Sequence, residues 1–393
     1  MPFWKSKSAE ASEQKSQLSD CQPLVSLNFG GAASWGGRDY GSLARAGYQS
    51  NAVVYRCVRM IAEAAASVPL CVRRGGECQP GDPAAALLAK GHPGATPTEI
   101  LERFYGFLQV SGNGYLEAAL VDGSPAALYA LRPDRVSQLT GKDGWPVGFE
   151  YAAEVRAKRY VRDPASGRCA VYHMRLFNPA SDVSGFSPLA AAAKAVDIHN
   201  EGGQWTKSLL DNSARPSGAL ILNGNAGTMT DKQYARLKGQ LEDMHAGAGQ
   251  AGRPMLLEGG MEWRAMSFSP SDMDFIAARR EAAREIALAF GIPPMLLGIP
   301  GDNTYANYKE ANLAFWRQAV IPLVTKTARG LTDWLSPYFG EDLQILPELD
   351  SVPALSEERA ALWARLTAAT FLTDDERRQM AGLEIKNMEA VNG

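Results

Sequence analysis

The stretch REIALAFGIPPMLLGIPGDNTYANYKEANLAF, residues 284–315, carries a helical spacing that stops at two adjacent prolines, Pro293 and Pro294, and resumes beyond Asn303. Proline has no N–H for a helix ladder and glycine favours turns, so this segment is read as a break between two long helices. Upstream, the helix is expected from Met273 to Phe290, with Ser271 or Asp272 as its cap and a length of roughly 27 Å. Phe275, Ala282, Ala283, Ile286 and Phe290 share one face, and Arg280, Glu281, Arg284 and Glu285 the other. One side packs, and the other meets water or a partner. Downstream, residues 305–335 place Leu313, Trp316, Val320, Leu323, Leu331 and Trp334 on one stripe, with a kink expected at Pro322.

Outward from this pair of helices the patterns become mixed. LAAAAKAVDIHNEGGQWTKSLLDN, residues 189–212, reads as a further long helix weakened at Gly202 and Gly203. Between it and residue 271 lies a small βαββ pattern: GALIL as a strand, TDKQYARLKGQLEDMHAG as a helix, and RPMLLEGGMEWRAM as a hairpin turning at Gly259 and Gly260. Nearer the start, Val54, Val58, Ile61 and Ala65 define a helix, followed by a strand that ends at Gly75 and Gly76. A helix capped by Thr96 or Thr98 follows, then a strand pair turning at Asp122 and Gly123, then the strand-like GWPVGFEY and RCAVYHMRLF. Residues 1–49 are rich in Ser, Gly, Gln and Lys and read as a flexible or extended arm. The tail gives two short helical stretches, with LSEER as a capping box. The expected fold class is α+β.

With 393 residues the chain exceeds one simple core. A net charge of −3 and pI near 5.9 argue against a clamp that neutralises many phosphates. The five cysteines, Cys21, Cys57, Cys71, Cys78 and Cys169, form no CxxC and are read as reduced thiols, with neither a disulfide framework nor a zinc site. The polar start lacks a signal peptide's apolar core, and no run approaches the ~18 apolar residues of a membrane span, so a soluble, non-secreted protein with no membrane partner is expected.

Chemistry-bearing motifs are sparse. Gly141-Lys142 is followed by Asp143 and lacks the upstream glycine of a phosphate loop. GNGY at residues 112–115 sits in the wrong order for a dinucleotide site and is read as a turn. His92, His173, His199 and His245 form no metal-binding pair, and Asp272 with Asp274 fits a helix start better than a cation site. SGFSP, residues 184–188, resembles a nucleophile elbow only loosely, and Pro188 suits a helix start. No catalytic residue, cofactor or metal is assigned, and an enzyme is not expected.

The ordered set NAVVYRCVRMIAEAAASVPL, LQVSGNGYLE, GFSPLAAA, DNSARPSGAL, LEGGMEWRAMSFSPSDMDFI and REIALAFGIPPMLLG resembles the portal proteins of tailed bacteriophages, of the compact siphophage type. The likeness runs from Asn51 to Leu335, and the short chain is similar to the small portals of gene transfer agents and prophages. It departs from the family at LLAKGHPGATPTE, where a Pro-Asn pair is common, and after residue 336, where no motif matches.

The resemblance implies a portal fold and a ring, usually dodecameric, at one capsid vertex, assembled in the bacterial cytoplasm and retained in the virion. Double-stranded DNA passes through it nonspecifically. The parts implied are a mixed wing over 50–188 and 309–350, stem helices over 189–215 and 269–292, a clip over 216–268, a tunnel loop over 293–308 and a helical crown over 351–393. In the loop, Met295, Leu296, Ile299, Asp302, Asn303, Thr304, Tyr305 and Asn307 are the expected channel residues. In the stem, Arg279, Arg280, Glu281, Arg284 and Glu285 either pair within or between subunits or touch phosphates. In the clip, Asp231, Lys232, Arg236, Lys238 and Glu242 are expected to dock the large terminase and then the head-tail adaptor. The major capsid protein is a further implied partner. A capsid or connector protein that never surrounds DNA is the alternative.

Overall fold

The computed structural model describes residues 39–75, 77–153, 156–211, 218–222, 232, 261–265, 275–300 and 305–381. The first described segment is helical: α1 (Tyr40–Ser42) runs into a π turn over Leu43–Gln49, and Leu43 is buried. The expected arm therefore ends sooner than residue 49. Helix α2 (Ala52–Ala66) follows, with Asn51 accepting from the Val53 and Val54 N–H groups and Val54, Val58, Ile61 and Ala65 buried. The predicted face is the observed one.

Strand β1 (Leu70–Arg74) pairs antiparallel with β2 (Glu77–Cys78), and the Cys71 and Cys78 side chains form a disulfide. The reading of five reduced thiols is corrected at this pair: a hairpin brings together two cysteines whose spacing fits no sequence motif. Cys57 and Cys169 are free and buried.

After α3 (Pro83–Ala89), α4 (Pro97–Ser111) begins at a capping box in which Thr96 and Glu99 satisfy each other's backbone N–H. Strands β3 (Asn113–Val121) and β4 (Ser124–Leu131) are joined at Asp122 and Gly123, both at positive φ (51° and 79°), as a two-residue hairpin turn requires. A second sheet, β5 (Val136–Thr140), β6 (Pro146–Ala152) and β7 (Ala157–Val161), precedes β8 (Val171–Arg175), which returns to pair with β3.

Two glycine motifs in the sequence meet at one crossing. Gly112 ends α4 in the left-handed region (φ 77°), where an added Cβ would fall 2.5 Å from the Phe186 carbonyl carbon. A Cβ on Gly185 would fall 2.0 Å from the Gly112 oxygen. GNGY is thus a helix stop, pressed against the backbone of SGFSP. Ser187 caps α5 (Pro188–Ala191) and donates to the Gln109 carbonyl, so the serine is a structural tie between segments.

Helix α6 (Ala193–Asp211) runs unbroken through Gly202 and Gly203, across which the Arg279 side chain lies. Strands β9 (Gly218–Leu222) and β10 (Met261–Ala265) pair antiparallel over five residues each. The expected partner RPMLL and the turn at Gly259 and Gly260 lie outside the described residues, as does all but Lys232 of the helix between the strands.

Helix α7 (Phe275–Ala289) comes next, then α8 (Tyr305–Phe315), a π turn over Trp316–Val320 and α9 (Ile321–Phe339). Pro322, where a kink is expected, is the second residue of α9 and directly follows this π turn, a place that suits its missing N–H and bulky ring. Strand β11 (Gln344–Pro347) then pairs with β1, so the chain closes the sheet it opened. The last described elements are α10 (Ser356–Ala368) and α11 (Asp374–Met380). LSEER makes no capping box: Ser356 is already helical and its hydroxyl donates to the Pro353 carbonyl. That device occurs instead at Thr373 and Glu376.

One core joins these parts, with Phe104 and Leu108 of α4, Leu116 of β3, Ile286 and Phe290 of α7, and Leu331 and Leu335 of α9 all buried in it. A smaller cluster, including Tyr115, Phe149, Tyr160 and Val171, joins the β4-β3-β8 sheet to the β5-β6-β7 sheet. Trp334 ties α9 to the strand region by donating to the Cys169 carbonyl at 2.7 Å. Among the described residues no helix is long and apolar enough to cross a membrane.

Candidate functional site

Helices α6 and α7 lie against each other, and their inner ends are held by the body. Asn51, which caps α2, also donates to the Asn200 side-chain oxygen at 2.9 Å and lies 3.1 Å from His199 Nδ1. Asn200 in turn donates to the Ala46 carbonyl at 2.7 Å. The His199 pKa is lowered by burial and then by the nearby Arg279 charge, so the ring is held neutral and can accept from Asn51. A single buried asparagine thus fixes both a helix start and the base of a second helix.

Helix α7 changes character along its length. Residues 276–281 are exposed all round, whereas Ala282, Ala283, Ile286, Ala287 and Phe290 are buried. The exposed set includes Arg280, Glu281, Arg284 and Glu285, as expected from the spacing, together with Arg279. Two large apolar side chains are also exposed, Ile276 at 69% and Leu288 at 78%.

The double proline follows a glycine-closed helix end. Gly291 is in the left-handed region (φ 67°), its N–H bonds to the Leu288 carbonyl at 3.0 Å, and the Ile292 N–H bonds to the Ala287 carbonyl at 2.9 Å. This is a Schellman closure, after which proline prevents the helix from restarting at once. Pro294–Leu297 then form one 3-10 turn, which ends at a second left-handed glycine, Gly298 (φ 73°). The Ile299 N–H reaches the Pro294 carbonyl at 3.2 Å. Two consecutive glycine stops turn the chain within nine residues, from Phe290 to Gly298.

The root of the loop is anchored. Leu296 and Leu297 pack on the main core, and Ile299 is buried at 9% beside Ala283 and Ala287. Arg284 donates to the Pro300 carbonyl at 2.8 Å. Of the expected channel residues, Leu296 and Ile299 thus face the subunit's own interior, and Met295 is half-buried. Asp302, Asn303 and Thr304 lie outside the described residues. Tyr305 and Asn307 belong to the first turn of α8. Of the residues expected to dock the terminase, only Lys232 is described, exposed in helical backbone, and Asp231, Arg236, Lys238 and Glu242 lie outside the described residues.

A second feature escaped the sequence reading. A cleft of about 890 Å³ opens between β6, β8 and α9, lined among others by Trp145, Arg162, Arg175, Phe177 and Arg329. Its residues come from three distant segments, so no local pattern marks them. Beside it, Asn113 Oδ1 accepts from the Gly185 N–H at 2.8 Å and from His173 Nε2 at 3.0 Å. The His173 ring is stacked on Tyr115, and burial followed by the Arg175 charge lowers its pKa to about 4. It is a neutral, hydrogen-bonded, half-buried histidine on the wall of the cleft.

Helices α6 and α7 pack together, the strand pair β9–β10 lies between them in sequence, and a braced loop follows α7. The Phage portal protein family model matches residues 52–382, and the chain belongs to that family. A chain in the neck of a native gene transfer agent particle, computed with C12 symmetry, is 47% identical, with TM-score 0.68 over 91% of this chain and 97% of that one. An uncharacterised protein of Rickettsia bellii is 40% identical over 347 residues, 88% of this chain and 90% of its own. The portal protein of Enterobacteria phage HK97 is 24% identical over 295 residues, covering 72% of this chain and 66% of that protein.

Proposed function

We propose that this chain is the subunit of a portal ring at one capsid vertex of a phage or gene transfer agent particle, through which double-stranded DNA is packaged and ejected. The observation that carries the reading is the 47% identity, over 91% of the chain, to a chain in a particle neck of C12 symmetry. Twelve copies around one axis form a closed ring by head-to-tail contacts, which require two different faces on each subunit. The α6–α7 pair is the stem of this ring. The strand pair β9–β10 belongs to the clip, where the large terminase and later the head-tail adaptor dock. The segment after Ile299 is the tunnel loop. The ring performs no catalytic step of its own and sits in the virion after assembly in the bacterial cytoplasm.

The physical chemistry agrees with a conduit. Each phosphate neutralised by a fixed cation adds affinity through counterion release, and such affinity would hold DNA in place. A chain of net charge −3 avoids that trap. The braced loop root lets the tip meet DNA without loosening the wing, because Ile299 and Arg284 fix its departure.

The test is electron microscopy of the purified chain, in which rings with a central hole are expected and closed shells or monomers would reject the reading. Deleting residues 301–304 should leave rings intact while reducing the DNA retained in particles. Full packaging by that variant would reject the loop's role.

A further inference from the structure

Helix α7 holds a pair of arginines and a pair of glutamates on different sides, with Arg284 between them at about 80° from Ile276 and donating to the Pro300 carbonyl. At about 100° per residue, Arg279 and Arg280 flank Ile276, whereas Glu281 and Glu285 lie about 140° and 180° away from it, beside Leu288 at about 120°. Arg279 and Arg280 have no carboxylate partner among the described residues, and neither Glu281 nor Glu285 has a cationic one. The cationic side opens on a pocket of about 370 Å³ formed by Ile276, Arg279, Arg280 and Ala283 with Val53 and Ile299. The anionic side presents Leu288, 78% exposed, as an apolar knob.

We infer that these two sides are the two halves of one contact between copies of this chain. Leu288 of one copy seats in the pocket of the next, and Glu281 and Glu285 meet Arg279 and Arg280 across the joint. The inference rests on the ring reading above and specifies which surfaces close the ring. Three properties select a second copy as the occupant. The knob is apolar and the pocket floor of Ile276, Ala283, Val53 and Ile299 is apolar beside His199 and Thr206, the charges flanking knob and floor are opposite, and the knob and those charges lie on one helix. A contact between different sides of identical subunits repeats by rotation, as a ring requires. Opposed charges around an apolar centre also set register, because a slip of one turn would draw Glu281 and Glu285 away from the arginines. Seating Leu288 removes its exposed surface from water, and the pocket's apolar floor already includes the buried Ile299, which braces the loop root.

The test uses the full chain and two double variants. In one, Arg279→Glu and Arg280→Glu reverse the cationic side; in the other, Glu281→Arg and Glu285→Arg reverse the anionic side. All four positions are exposed, and circular dichroism is expected to show an unchanged fold. Each variant alone opposes like charges and should lose the ring peak in light-scattering chromatography. Mixed in equal amounts they should regain it, because alternating copies restore attraction at every joint. Rings formed by either variant alone, or no rings from the mixture, would overturn the pairing. Leu288→Ala removes only an exposed side chain and should raise the concentration for half-assembly at least tenfold; an unchanged value would also overturn it. If the unaltered chain forms no rings, the ring reading falls and the pairing with it.

Discussion

Two glycines in left-handed backbone should respond very differently to alanine. Gly291 has φ 67° and nothing within 4 Å of the position a Cβ would take, so Gly291→Ala adds only backbone strain, about 1–2 kcal/mol. Gly112 has φ 77°, but its Cβ would meet Phe186 C at 2.5 Å and Gly185 C and Phe186 N at 2.8 Å. Those atoms are backbone and cannot rotate away. Moving them also disturbs the Gly185 N–H bond to Asn113 (2.8 Å) and the Leu176 N–H bond to Gly112 (2.9 Å). Overpacking costs about 1–3 kcal/mol and each weakened hydrogen bond about 1 kcal/mol, so with the same backbone strain Gly112→Ala should cost about 4–7 kcal/mol in all. Urea unfolding below the assembly concentration, with both variants measured side by side, gives the two values. Gly291→Asn should recover part of the smaller loss, since asparagine tolerates this region. A Gly112→Ala variant no less stable than Gly291→Ala would refute the claim that the crossing of the two loops leaves no room for a side chain.

The neutral state of His173 makes stability depend on pH. Its folded pKa of about 4 lies below the ordinary 6.5, so between these values the unfolded chain takes up a proton that the folded chain refuses. The contribution is complete above pH 6.5 and lost as pH falls towards about 4, on the order of 3 kcal/mol. His173→Phe should flatten that part of a stability–pH curve, and an unchanged slope would count against it. The disulfide between Cys71 and Cys78 closes a short loop with a sequence separation of 7. Replacing both cysteines by serine should lower the urea midpoint under oxidising conditions by an amount equal to about 2 kcal/mol, with no difference in reductant.

Local signals made much of this structure readable. Helix α2 was legible because its cap and its buried stripe lie within one segment, and the β3–β4 turn because Asp-Gly suits paired positive φ values. The charged side of α7 was legible for the same reason. Elements whose cause is distant were not. The disulfide depends on how β1 meets β2, and the meeting of Gly112 with Gly185 spans more than seventy residues. Strand β7 exposes four of its five residues, so no alternation marks it. LSEER has the composition of a cap, but the Pro353 carbonyl captures the serine hydroxyl first. In the loop, the double proline announced a break, while the inward packing of Ile299 required knowing that Ala283 and Ala287 leave space for it.

The consecutive stops at Gly291 and Gly298 set the direction of the chain by backbone geometry before Gly301 is reached. Replacing residues 301–304 should therefore leave α7 and the turn after it in place. Natural variation in this protein should accordingly concentrate in a short cassette whose two borders stay fixed.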